Sequence, residues 1–101
     1  MQLAIETGKV YTFKLNSGEE LISKVKQIDG TEIILAEPCS VAPGPQGMGL
    51  VPSIFTSDPK GEVRLNTNSV TLYAVTDATV KSKYIEATTG IKLPDKKLIL
   101  G

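Results

Sequence analysis

The sequence predicts a small, mainly β domain, a strongly bent antiparallel sheet of five strands that stays open and carries one helix at its C-terminal end. Three observations predict it. Val, Ile and Thr are prominent, aromatic residues make up only 5% of the chain, and such a β-branched bias favours strands. Apolar and polar residues alternate with period two in short runs separated by Gly, Pro and Asn turns. After Asp77 the period lengthens to that of a helix. With 101 residues the chain holds one domain and one core, and a domain this small buries only roughly two-thirds of its unfolded surface. Association with copies of itself would cover the remainder.

The opening stretch offers only Leu3-Ala4-Ile5 as apolar content, too little for a helix of its own. From Lys9 onward Tyr11, Phe13 and Leu15 alternate with Val10, Thr12, Lys14 and Asn16, a half-buried strand with the first set inward. Asn16-Ser17-Gly18-Glu19 is a turn in which Gly18 supplies positive φ. The return strand, 21–28, has no cleanly apolar face. A bulge near Ser23-Lys24 would let Leu21, Val25 and Ile28 all point to the core. Asp29-Gly30 is the strongest hairpin signal. Residues 32–41 then form a strand covered on both faces, since Ile33, Ile34 and Leu35 are apolar in succession.

Ala42-Pro43-Gly44-Pro45-Gln46-Gly47 reads as a loop that cannot sustain a ladder. Residues 48–55 are extended but interrupted by Pro52, which places them at an edge or bend, either as part of the fourth strand or as an extra one. Asp58-Pro59-Lys60-Gly61 is a turn. Residues 62–65 and 70–75 are the last pair of strands, joined by the polar tip Asn66-Thr67-Asn68-Ser69. Asp77 caps a helix presenting Val80, Tyr84, Ile85 and Thr88 on one face. The single domain thus divides into bent strands at about 9–76, a helix at about 77–89 and a tail at 90–101, whose Leu98-Ile99-Leu100 is apolar.

Chemistry is short of groups. There is no His, and Cys39 is the only cysteine, so no intrachain disulfide forms and the residue reads as a small core side chain. Glu19-Glu20 falls at a turn where alternation sends the side chains to opposite faces. Asp58 and Asp77 stand apart from other metal ligands, and Gly44, Gly47 and Gly49 lead into no helix as a phosphate loop would. We expect a binding protein, not an enzyme, with no cofactor. Eleven basic and eleven acidic residues cancel, which excludes a broad cationic face for duplex but not a local polar site. The start lacks the apolar core of a signal peptide and no run approaches a membrane span. The expectation is a cytoplasmic chain with no membrane partner.

The spacing of the first hairpin carries a resemblance. Leu21, Val25, Ile28 and Asp29 stand three, seven, ten and eleven positions after Gly18 and precede the strand of Ile33-Ile34-Leu35. Leu65-Asn66-Thr67-Asn68-Ser69-Val70-Thr71-Leu72-Tyr73 has the shape of an apolar residue, a polar pair, two variable positions and an apolar strand. Over about 10–75 the chain resembles the Sm-like (LSm/Hfq) family of RNA-binding ring proteins. With its FKLNSGEELISKV opening, Pro-rich middle and late helix, it resembles most closely the divergent Sm-like proteins of tailed phages of marine cyanobacteria.

The resemblance implies an SH3-like open barrel in a homo-oligomeric ring of five to seven subunits, with Glu62, Val63, Leu65, Val70, Leu72 and Tyr73 at the subunit interface. For a phage-encoded member it implies the host cytoplasm. The implied partner is RNA, or less readily single-stranded DNA, held at the pore by Asp29-Gly30-Thr31 and Asn66-Thr67-Asn68, with Lys24, Lys26 and Arg64 available to phosphates. The same residue types are also what hairpin tips and solvated strand faces require. The family's base-binding Asn falls at Ile33, its stacking position at Thr31, and its second-motif Arg-Gly at Asn66 and Thr67. The three groups that grip uridine in that family are thus absent or changed. Its N-terminal helix is missing, and the helix at 78–89 is expected to cover the open end of the barrel instead. The other expectation is a phage structural or protein-interaction module that binds no nucleic acid.

Overall fold

A computed structural model describes residues 4–89; the expected tail at 90–101 lies outside them. The chain is mainly β, with strands β1 (Val10–Leu15), β2 (Glu20–Asp29), β3 (Glu32–Gly44), β4 (Gly47–Pro52), β5 (Val63–Asn66) and β6 (Val70–Val75), a 3-10 turn (Thr67–Ser69) between the last two, and helix α1 (Ala78–Thr89). They form one antiparallel sheet in the order β4-β3-β2-β1-β6, with β5 also on β3. β5 and β6 do not pair with each other: β5 lies on β3 and β6 on β1. The expected last hairpin is therefore opened out, its strands parted to opposite margins of a sheet that does not close.

Six strands replace the expected five because one position is split. β4 covers residues 39–44 of β3 and β5 covers residues 32–35. The two are successive pieces of the same margin, separated by an excursion at 53–62. The Pro59 turn folds within it, the Gly61 N–H donating to the Asp58 carbonyl at 2.9 Å.

Alternation sorts the side chains onto two faces. On one, Tyr11, Phe13, Leu21, Val25, Ile33 and Leu35 form the main core with Ile5, and Leu15, Ile28 and Leu65 pack against it. The register shifts between Ile22 and Lys24 and again between Val25 and Gln27. Leu21 and Val25 share a face by alternation, and the second shift, an extra β2 residue at Lys26, brings Ile28 to it. The first shift sets Ser23 of β2 against two residues of β3, so its bulge lies in β3 at Glu37-Pro38. It does not lie, as expected, in β2 near Ser23-Lys24, where the pairing with β1 runs unbroken. Ser23, fully buried there, donates to the Ala36 carbonyl at 3.0 Å.

The other face holds Val10, Ile22, Cys39 and Tyr84, with Val41, Leu50 and Val80 beside them. α1 docks here, so it lies on the far side of the sheet from the main core instead of covering the core's open end. That role falls to the N-terminal stretch: Ile5 is buried in the main core, and the N–H groups of Ala4 and Glu6 donate to the hydroxyls of Tyr73 (3.1 Å) and Tyr11 (2.9 Å). Asp77 caps α1 as expected, accepting from the N–H groups of Thr79 and Val80. Ile85 departs from expectation and stays 40% exposed. Tyr84, in contrast, is buried, donating to the Ala36 carbonyl at 2.6 Å and accepting from the Lys24 N–H at 3.0 Å. Burial raises its phenol pKa above the ordinary value.

The Pro-Gly segment after Val41 is a second correction. Pro43 pairs with Met48 and Gly44 with Gly47, so the ladder continues to a tight turn at Pro45-Gln46. Pro is tolerated because β2 pairs no further along β3 than Ser40, and an antiparallel ladder needs the N–H of only alternate residues toward one partner. Gly47 takes φ 105°, as the turn demands.

Candidate nucleic-acid interface

Three polar turns converge at one end of the sheet. Gly30, at φ 64°, and Thr31 link β2 to β3. The last β3–β5 pair, Glu32 with Asn66, sets the Thr67–Ser69 turn directly beside them. Thr67 then stitches the turns together, its N–H and its hydroxyl each donating to the Thr31 carbonyl at 2.9 Å. Within the second tip the Asn66 side-chain oxygen accepts from the Asn68 N–H at 2.9 Å. The third turn joins through Asn16, whose amide donates to the Asn68 carbonyl at 2.8 Å, while the Thr71 hydroxyl donates to the Asn16 side-chain oxygen at 2.5 Å.

A concavity of about 270 Å³ lies between these turns. Thr31, Thr67, Asn68 and Thr71 supply polar lining, Phe13 and Ile33 are its buried apolar wall, and the half-exposed Tyr73 ring stands at its side. The loops Asp29-Gly30-Thr31 and Asn66-Thr67-Asn68 are therefore adjacent. Sequence reasoning missed Asn16 and Thr71. The available signal was that each is a polar residue at a strand end next to a tip; nothing in spacing alone pairs them across 55 positions.

The charged candidates are distributed differently. Arg64 donates to Asp29 and Glu32 at 3.0 Å each and to Glu62 at 2.8 Å. These hydrogen bonds, with Asp29 foremost, raise the guanidinium pKa further above its ordinary value. Three carboxylates around one guanidinium make the outer side of this tip acidic. Lys24 and Lys26 are exposed on β2, and Lys26 lines a separate groove on the α1 side of the molecule, away from the tips.

The margins carry apolar surface. Among the described residues β6 pairs only with β1, and no strand lies on its other edge. Opposite Tyr11 and Phe13 stand Val75 and Tyr73, and opposite Lys14 stands Leu72, so β6 presents apolar side chains on both faces. Leu72 is 64% and Val75 76% exposed. Val63 and Leu65 on β5 are half-buried, Val70 likewise, and Glu62 is exposed.

Among the described residues no acidic, Cys or His cluster is arranged to hold a metal ion, and no helix is long and apolar enough to cross a membrane. Compared with known protein families and with curated proteins, the sequence matches none.

Proposed function

We propose that the protein is an Sm-like module that assembles into a homo-oligomeric ring and engages single-stranded nucleic acid, RNA in the first place, through its converged polar tips. The observation that carries the ring is the state of the two margins. Among the described strands β5 and β6 each leave a backbone edge unpaired, and β6 exposes Leu72, Tyr73 and Val75 on both faces. A bare, apolar edge strand is a template for another strand. β6 of one copy on β5 of the next satisfies both edges, and repeating that head-to-tail contact closes a ring of five to seven subunits.

Rotation about the ring axis gathers the tips of all copies around one pore. Each tip offers Thr31, Thr67 and Asn68 as uncharged donors and acceptors beside the Tyr73 ring. Unpaired bases are recognised through their exposed edges and by stacking on aromatic rings. One observation favours a second reading, a protein-interaction or phage structural ring without nucleic acid: Arg64 is already held by three carboxylates, which leaves that side of the tip repelling phosphate.

Fluorescence anisotropy with short labelled oligoribonucleotides at two salt concentrations separates them. Saturable binding that weakens with salt and is lost on Thr67→Ala with Asn68→Ala supports the first reading. Absence of binding at both salt concentrations, with the ring intact, supports the second.

A further inference from the structure

The margin that β4 and β5 share along β3 is broken. Ala36, Glu37 and Pro38 of β3 have no described strand beside them there, because β4 ends opposite Cys39 and β5 begins opposite Leu35, although the Pro38 carbonyl accepts from the Ser53 N–H at 3.0 Å. The excursion at 53–62 and the end of α1 wall the break into a groove of about 440 Å³, lined by Leu50, Pro52, Ile54, Val63, Cys39 and Ala87 among others. We propose that this groove is the socket for Val75 of a second copy, an inference that rests on the ring reading above.

Strand lengths bring the two together. A ring is generated by rotation alone, so the Thr67–Ser69 turn lies at one level in every copy. β5 ends and β6 begins at that turn. Laid antiparallel on β5 of its neighbour, β6 starts beside Asn66 there. Its six residues outrun the four of β5 by two, Ala74 and Val75. The overhang falls past Val63, where the groove opens.

Area points the same way. Four paired residues give only about 13 Å of edge at the rise of a strand, whereas a stable interface buries roughly 1,000 Å² in total. The contact must continue onto apolar surface next to β5, and the groove is that surface. Val75, 76% exposed in the single chain, is the apolar side chain of the overhang left to cover.

The reporter is a thiol placed at position 75, because Cys39, the only native thiol, is buried within the single chain already. The experiment follows modification of Val75→Cys, Cys39→Ala full-length protein by Ellman's reagent, its mass read by light scattering in the same sample. Seated in the neighbour's groove, the thiol should label at least five-fold more slowly in intact rings than that of Met48→Cys, Cys39→Ala, a position 69% exposed. If Cys39→Ala dissociates the ring, the two variants are compared with the buried Cys39 kept. Equal labelling rates in intact rings overturn the socket while the ring stands. A wild-type monomer overturns the ring reading itself.

Discussion

Glu37 holds φ at 58°, a left-handed conformation that every other described positive-φ position gives to glycine. Its side chain is exposed, so the conformation serves the bulge of β3 opposite Ser23 that leads into Pro38. A non-glycine residue there carries a penalty of about 1 kcal/mol. Glu37→Gly should therefore stabilise the fold by roughly 0.5–1 kcal/mol in urea denaturation; a clear loss would mean the Glu37 side chain makes a contribution of its own. Two residues on, burial pushes the Cys39 thiol up to about 11. The unfolded thiol ionises first as pH rises, so this group's stabilisation is complete below about pH 8.5 and is lost progressively towards 11. Wild type should show a steeper fall in unfolding free energy between pH 8 and 10.5 than Cys39→Ala. Parallel curves would place the thiol in water. Tyr84 adds a third test, because its hydroxyl serves both the Lys24 N–H and the Ala36 carbonyl. Tyr84→Phe strands both and should lower stability by about 1–3 kcal/mol.

At the scale of elements, α1 is attached through one face narrower than its sequence pattern implies. Tyr84 is buried and Val80 packs beside it, but Ile85 points away. Ile85→Ala should change stability by less than about 0.5 kcal/mol, whereas Tyr84→Ala should cost about 3–5 kcal/mol; equal effects of the two would contradict this docking. The alternation in β1, the Gly18 and Gly30 turns and the Asp77 cap were legible because each is dictated by residues within a few positions; that β2 needs a bulge was legible too, but not its place at Lys26. Three further features were not. Proline spacing looked like a loop at 42–47, since whether Pro43 needs an N–H depends on where β2 stops. The partners of β5 and β6 depend on strands tens of residues away, so the pair read as a hairpin. The side of the sheet that α1 covers depends on which face the bulge leaves apolar. In the candidate site, the adjacency of Thr31 and Thr67 followed from the resemblance and is present, while the capture of Arg64 by Asp29, Glu32 and Glu62 is a tertiary event that no local pattern announces.

For the whole molecule, the unsatisfied margins dominate. A β6 edge with no described strand on it, bearing Leu72 and Val75, invites uncontrolled pairing, and the proposed ring would pair it with β5, leaving only the short outer edge of β4 open. Leu72→Asp should shift the assembly towards monomers while leaving the far-ultraviolet circular dichroism of the strands unchanged; a ring that tolerates it would place the contact elsewhere. The most direct measurement is the solution mass of the full-length chain by multi-angle light scattering at micromolar concentration. One species at a five- to seven-fold multiple of 10.8 kDa is expected, and a stable species at the mass of one chain would contradict the ring.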